Sequence, residues 1–210
     1  MDQNAPVGTG LRERKKAMTR RALQNAALEL FARQGFEHTT VDEIADACDI
    51  SPRTFFRYFA TKEDVLFGDS DERRAELVES ISARPIDEAM LPSVREAILA
   101  LASDYEGDRD RLVAKAEILA ADPTLRSRGV ERQRDWEAAV TETLRLREAE
   151  HDPAHSMLEI RLVAGVATAA LRAACDTWVA DGGELTPLVA EAFDRLAGGF
   201  GGASTRRTSH

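Results

Sequence analysis

Two helix starts about a dozen residues apart constrain what this chain can fold into more than any other feature. Thr40 stands three residues before Glu43, a pairing in which hydroxyl and carboxylate each accept a backbone N–H that a helix start leaves unpaired. Ser51 stands directly before Pro52; serine caps a helix well, and proline suits its first position. So little chain lies between the two starts that the stretch 40–62 predicts two short helices joined by a tight turn, a helix-turn-helix. Ile44, Ala45, Cys48, Ile50, Phe55 and Phe59 recur at spacings that give each helix one buried stripe. Asp49 falls where the turn needs a left-handed residue, a conformation that Asp tolerates.

This pattern leaves Arg53, Thr54, Phe56, Arg57 and Tyr58 on the outside of the second helix. Guanidinium groups fork onto guanine or phosphate, hydroxyls reach phosphate oxygens, and an aromatic edge meets a thymine methyl. The bland reading is an ordinary solvated face, but a merely solvated face rarely carries a Phe, a Tyr and two Arg on one short helix. The run Thr-Val-Asp-Glu-Ile-Ala at 40–45, with Ser-Pro-Arg-Thr-Phe-Phe-Arg-Tyr-Phe at 51–59 and Thr-Lys-Glu-Asp-Val-Leu at 61–66, closely resembles the N-terminal domain of TetR-family transcriptional regulators. The resemblance implies phosphate contacts from Thr40, Thr54, Tyr58 and Lys62, and base contacts drawn from Arg53, Phe56 and Arg57. The family more often has Tyr at the position of Phe56, and His or Tyr at that of Arg57. The first difference removes a hydroxyl, and the second adds a possible guanine preference.

A net charge of −9 at first argues against a polyanionic partner. Its distribution reverses that impression. Residues 1–65 carry ten basic and ten acidic side chains, so the entire excess of acid lies in the rest of the chain. Within the first third, basic groups concentrate at 12–21 and on the second helix of the motif, and the stretch 11–21 carries a net +5. Arg20 and Arg21 close that basic stretch, which beside a helix-turn-helix reads as an arm or helix start lying along phosphates or reaching into the minor groove, the bland alternative being a solvated helix face. An acidic body repels DNA everywhere except at such a face, which favours one docking orientation.

Aromatic residues are only 6% of the chain and alternating β-branched runs are scarce, so the expected class is all-α. The expected architecture is an N-terminal three-helix helix-turn-helix domain followed by a larger helical ligand-binding and dimerisation domain. Residues 1–10 read as a disordered arm and 11–67 as the DNA-binding domain. A linking helix from Thr61 to about Ile81 follows, with Lys62 at its first turn as a phosphate site. Residues 82–200 read as the effector-binding and dimerisation domain, and 201–210 as a disordered tail. The first helix is expected over 17–34, ended by Gly35 with Phe36 folding back. Pro85 and Pro92 interrupt the pattern, after which helices are expected at 93–105, 109–121, 124–149 and 154–180, with a last one started by Thr186-Pro187. The stretch 154–180 is apolar on more than one side, so it needs to bury two faces, one of them against a partner.

His151 and His155 invite a metal reading, but Pro153 lies between them and Asp152-Pro153 looks like a helix start; neither metal nor cofactor is expected. Cys48 and Cys175 read as small core residues. No glycine-rich phosphate loop, nucleophile elbow or paired acid and base emerges, so no enzyme is expected. No leader or membrane-spanning run is visible, which implies a cytoplasmic protein. By the resemblance, the chain is a homodimeric repressor released from a palindromic double-stranded operator by a small-molecule effector. Tyr105, Trp136 and Trp178 are the candidate effector contacts, suited to a hydrophobic or amphipathic molecule that the sequence does not identify. The alternative is a helical protein-interaction module with a degenerate DNA-binding domain.

Overall fold

The computed structural model describes residues 7–151 and 155–199. Among these residues there are helices and no strands: α1 (Val7–Gln34), α2 (Val41–Asp46), α3 (Pro52–Phe55), α4 (Asp64–Ser82), α5 (Met90–Tyr105), α6 (Arg109–Ala121), α7 (Pro123–His151), α8 (Met157–Asp181) and α9 (Leu185–Gly198). A short 3-10 turn, Glu106–Asp108, follows α5. The chain divides into one unit formed by Met1–Asp71 with Asp110–Ser127, and another formed by Glu72–Arg109 with Arg128–His210. This differs from the expected division in the stretch 110–127, which groups with the first unit.

In the first unit α1 begins ten residues before the expected start near 17, and of the expected disordered arm residues 7–10 are helical. Residues 1–6 and the expected tail 201–210 lie outside the described residues. Apolar periodicity reports only the part of a helix that faces a core, and the side chains of Arg12, Arg14, Lys15, Lys16 and Met18 all stand in solvent. The other end of α1 is where it was expected. Gly35 takes φ +86 and donates its N–H to Phe31 O at 2.9 Å, while the Phe36 ring packs 5.0 Å from that of Phe31. Leu23, Ala27, Phe31, Ile44, Ala45, Phe55, Phe59, Val65 and Leu66 form the core, joined by Ile118 and Leu125. The last two explain why 110–127 belongs here, a pairing that nothing local in the sequence signals.

In the second unit α5, α8 and α9 pack on one another. Pro92 does not interrupt α5; it sits in the first turn, where its missing N–H forgoes no helical bond. The start of α8 is also not the expected one at Asp152-Pro153. Ser156 accepts from Glu159 N while the Glu159 carboxylate takes the Ser156 N–H at 2.7 Å, the same reciprocal cap that Thr40 and Glu43 form, with serine in place of threonine. One face of α8 is buried through Ile160, Ala164, Ala167, Leu171, Ala174 and Trp178, while Leu158 and Leu162 remain 67% and 55% exposed.

Three charged residues around the 3-10 turn tie helices of this unit together. Asp108 holds Arg73 of α4 at 2.7 Å. Arg109 donates to the last carbonyls of α8, Trp178 O at 3.3 Å and Val179 O at 3.2 Å. Glu106 Oε1 accepts from the backbone N–H of Thr186 at 3.1 Å and from its hydroxyl at 2.9 Å, so a carboxylate from a different element caps the start of α9. The Thr186 backbone bond, then its hydroxyl, hold the Glu106 carboxyl below the usual carboxylate range. A carboxyl lowered on folding adds stability above its unfolded pKa, and that contribution disappears as pH falls through its folded value. Glu106→Gln is therefore expected to show a smaller loss of melting temperature on acidification than the wild type, measured by thermal melts across the acid range.

Candidate nucleic-acid interface

The first unit builds its outer face from α2 and α3 and the turn between them. Thr40 caps α2 reciprocally with Glu43, its backbone N–H reaching the carboxylate at 2.8 Å while its exposed hydroxyl also contacts it at 2.9 Å. The Thr40 bonds, backbone first, and Gln34 keep the Glu43 carboxyl lowered and charged. Asp49 takes φ 55, and Ile50 N returns to Ala45 O at 3.1 Å, which closes α2 in the left-handed manner expected. Ser51 caps α3, with Thr54 N at 3.2 Å from its hydroxyl and the two hydroxyls sharing a 3.0 Å hydrogen bond. Only Pro52–Phe55 is regular α-helix, but tightened turns carry the track onward, Tyr58 N bonding Phe55 O at 2.8 Å and Phe59 N bonding the same oxygen at 3.1 Å.

This track sorts its aromatics by side. Phe55 and Phe59 are 0% and 3% exposed, whereas Phe56 is 55% exposed and meets Phe55 edge-on at 5.5 Å. Arg53 and Arg57 are exposed, and Thr54 and Tyr58 are half-buried at the margin. The Arg57 guanidinium lies 5.5 Å from the Tyr58 ring centroid. A hydrogen bond with Arg57 first, then one with Thr19 and the charges of Arg57 and Lys16, outweigh burial and lower the Tyr58 phenol. Lys16 and Thr19 of α1 therefore adjoin the edge of the α3 face. Sequence reasoning had not singled them out, although their spacing of three within the basic stretch places both on one side of the helix.

Two expected phosphate contacts are engaged elsewhere. Arg20 turns inward, its Nη2 donating to Gly68 O at 2.7 Å and its guanidinium lying 5.1 Å from the Phe59 centroid. A Cβ on Gly68 would meet both Arg20 Nη2 and Phe59 Cε1 at 2.8 Å, so this close approach requires glycine. Lys62 donates its ammonium to Phe36 O at 2.7 Å and Thr39 O at 3.0 Å, with its Nζ 4.2 Å from the Phe36 centroid. Arg21 is exposed on α1.

The three candidate effector residues lie in the second unit, on different helices. Tyr105 is half-buried beneath Arg73, whose guanidinium carbon is 3.9 Å from its ring centroid, and Trp136 is half-buried on α7. Trp178 is 2% exposed with its indole N–H donated to Gly183 O at 3.0 Å, so packing of the α8–α9 elbow already uses it. Burial pushes the Cys175 thiol up to about 12, and burial beside Asp49 raises Cys48, so both surroundings disfavour the thiolate. His155 pairs with Glu148 at 2.6 Å, and that hydrogen bond raises its pKa. Among the described residues no three potential ligands cluster as a metal site requires.

Residues 23–67 match the family of bacterial regulatory proteins of the tetR type, and residues 88–201, just over half the chain, match the MftR C-terminal domain. The chain belongs to the TetR family of transcriptional regulators. Over 99 residues it is 42% identical to the HTH-type transcriptional regulator TcmR of Streptomyces glaucescens, a match spanning 47% of this chain and 44% of TcmR. It is 28% identical over 130 residues to MftR of Mycobacterium tuberculosis, spanning 60% of this chain and 64% of that one. The chain thus spans about half to two thirds of these TetR-family relatives. The TetR-family repressor FadR of Thermus thermophilus, solved with lauroyl-CoA, shares the fold with a TM-score of 0.56 at 24% identity, covering 91% of this chain and 100% of that one. No helix of the described residues is long and apolar enough to cross a membrane.

Proposed function

We propose that this TetR-family regulator is a homodimeric repressor that reads a palindromic operator through α3 and leaves it when a small molecule binds the second unit. The supporting observation is the sorting of the α3 track, with Phe55 and Phe59 inside and Arg53, Phe56 and Arg57 outside. Arg53 and Arg57 reach guanine edges in the major groove, and Phe56 meets a thymine methyl. Thr40, Thr54, Tyr58 and Arg21 bond phosphates, which fixes register without reading sequence. The protein acts in the cytoplasm and catalyses nothing.

One such reader contacts only a few base pairs. Two displayed about one helical turn of DNA apart, or a multiple of it, read a palindrome with useful affinity. Leu158 and Leu162, on the face of α8 that its own unit leaves open, supply the apolar contact to a second copy, with α9 beside them. Leu162→Glu is expected to shift the protein to monomer in sedimentation at micromolar concentration and to abolish the band shift of operator fragments while circular dichroism stays helical. A monomeric wild type would contradict the dimer. The effector, hydrophobic or amphipathic, binds among α5, α7 and α8 near Tyr105 and Trp136, and favours a spacing of the two readers that does not fit the duplex. A ligand preferring that conformation by about 3 kcal/mol changes occupancy by about two orders of magnitude. Thermal-shift screening begins with lauroyl-CoA as an amphipathic probe. A helical interaction module would show no retained fragment at low salt.

A further inference from the structure

The family resemblance assigns Lys62 to phosphate, but the geometry around it describes a clamp. Its ammonium has three protons, and two of them point to main-chain carbonyls at opposite ends of the α1–α2 loop, Phe36 O and Thr39 O. The Phe36 ring lies on a further side, 4.2 Å from Nζ. The loop is otherwise closed on itself. Thr39, 1% exposed, bonds Gly35 O through its hydroxyl at 2.8 Å and Phe36 O through its N–H at 3.3 Å, while Gln34 donates to His38 O at 3.2 Å. Lys62 fastens this knot to the connection between α3 and α4, and the carbonyl of Thr39 directly precedes the cap of α2.

We infer that Lys62 is a positioning residue for DNA reading, acting through the α1–α2 loop, Thr40 and α2, and neutralising no phosphate itself. Its position in the chain explains the leverage: α2 and α3 lie between residue 39, which it grips, and residue 62, from which it reaches, so one ammonium spans the whole reading motif. A side chain that binds phosphate releases counterions and steepens the dependence of affinity on salt. A side chain that only holds the motif in place contributes affinity at every salt concentration alike.

The inference rests on the DNA-reading proposal, and its test separates the two. Lys62→Met removes the charge and both donated bonds; Lys62→Gln is neutral and one atom shorter but still donates. Operator binding is measured by fluorescence anisotropy across a series of salt concentrations, and hydrogen exchange of residues 35–41 is measured on the free proteins. Lys62→Met is expected to weaken operator binding by about tenfold or more with an unchanged salt slope. Exchange in the loop rises before any DNA is added, and Lys62→Gln recovers part of both losses. A slope lowered by about one unit per half-site, so by about two on a twofold operator, in either variant, with loop exchange unaltered, overturns the inference and returns Lys62 to phosphate. If Lys62→Met does not fold, Lys62→Gln gives the same two readings. A wild type that binds no DNA defeats the reading proposal alone, because the exchange arm still reports on the clamp.

Discussion

Arg57→Ala is expected to weaken binding to the cognate operator by about 1–3 kcal/mol at each half-site, so by about 2–6 kcal/mol on a twofold operator. The side chain is exposed and its contacts are with the neighbouring half-buried Tyr58, so the fold should be little affected. The loss is specific. Binding to random DNA is expected to fall much less, because base reading by Arg57, as proposed, adds nothing on non-cognate sequence and most non-specific affinity comes from phosphate contacts. Anisotropy titrations on cognate and scrambled duplexes at matched salt check this. Equal losses on both would make Arg57 a phosphate contact and remove the main support for base reading by α3.

Arg147→Met is expected to cost about 3–5 kcal/mol of stability, because a buried guanidinium that satisfies several carbonyls leaves them all unpaired when it goes. Arg147 is 8% exposed, and it donates to Ile81 O at 2.8 Å, Arg84 O at 2.9 Å and Pro85 O at 2.7 Å. These carbonyls close the end of α4 and the turn after it, where a positive charge also suits the helix dipole. Methionine keeps much of the volume, so the change isolates the hydrogen bonds. A fall in melting temperature of about 6–20 °C in calorimetry is the corresponding signal for a chain of this size. A fall of only a degree or two would mean that the end of α4 is held by packing alone.

The contrast between these residues shows what could be read from the sequence. The outward placement of Arg57 was legible because it depends on local order: cap, proline and buried stripe fix which side of α3 faces out, and those signals lie within nine residues, 51–59. Asp49 and Gly35 were legible for the same reason, since a left-handed position follows from the helix end beside it. Arg147 was not. It sits in a helix so rich in charge that one inward arginine looks like its solvent-facing neighbours Glu142 and Arg145, and its partners are more than sixty residues away. The partners of Glu106, Arg20 and Lys62 were hidden in the same way, each being a charged side chain whose place is set by tertiary neighbours. Ser156 with Glu159 was the one purely local signal overlooked, because Asp152-Pro153 offered an earlier start.

The side chains expected at the candidate interface are placed unevenly. Arg53, Phe56 and Arg57 stand outward as the helical pattern requires. In the basic segment before them, Lys16 and Thr19 act on the Tyr58 phenol, while Arg20 braces Phe59 and Gly68 from within. Residue type alone could not separate these neighbours on α1, since inward and outward arginines share one chemistry until a partner is in place.

A structure of the protein bound to its operator tests the central claim most directly. The account predicts α3 in the major groove, with Arg53 and Arg57 within hydrogen-bonding distance of base edges and the Phe56 ring against a base. Placement of that face away from the duplex, with DNA held by some other surface of the protein, would contradict it.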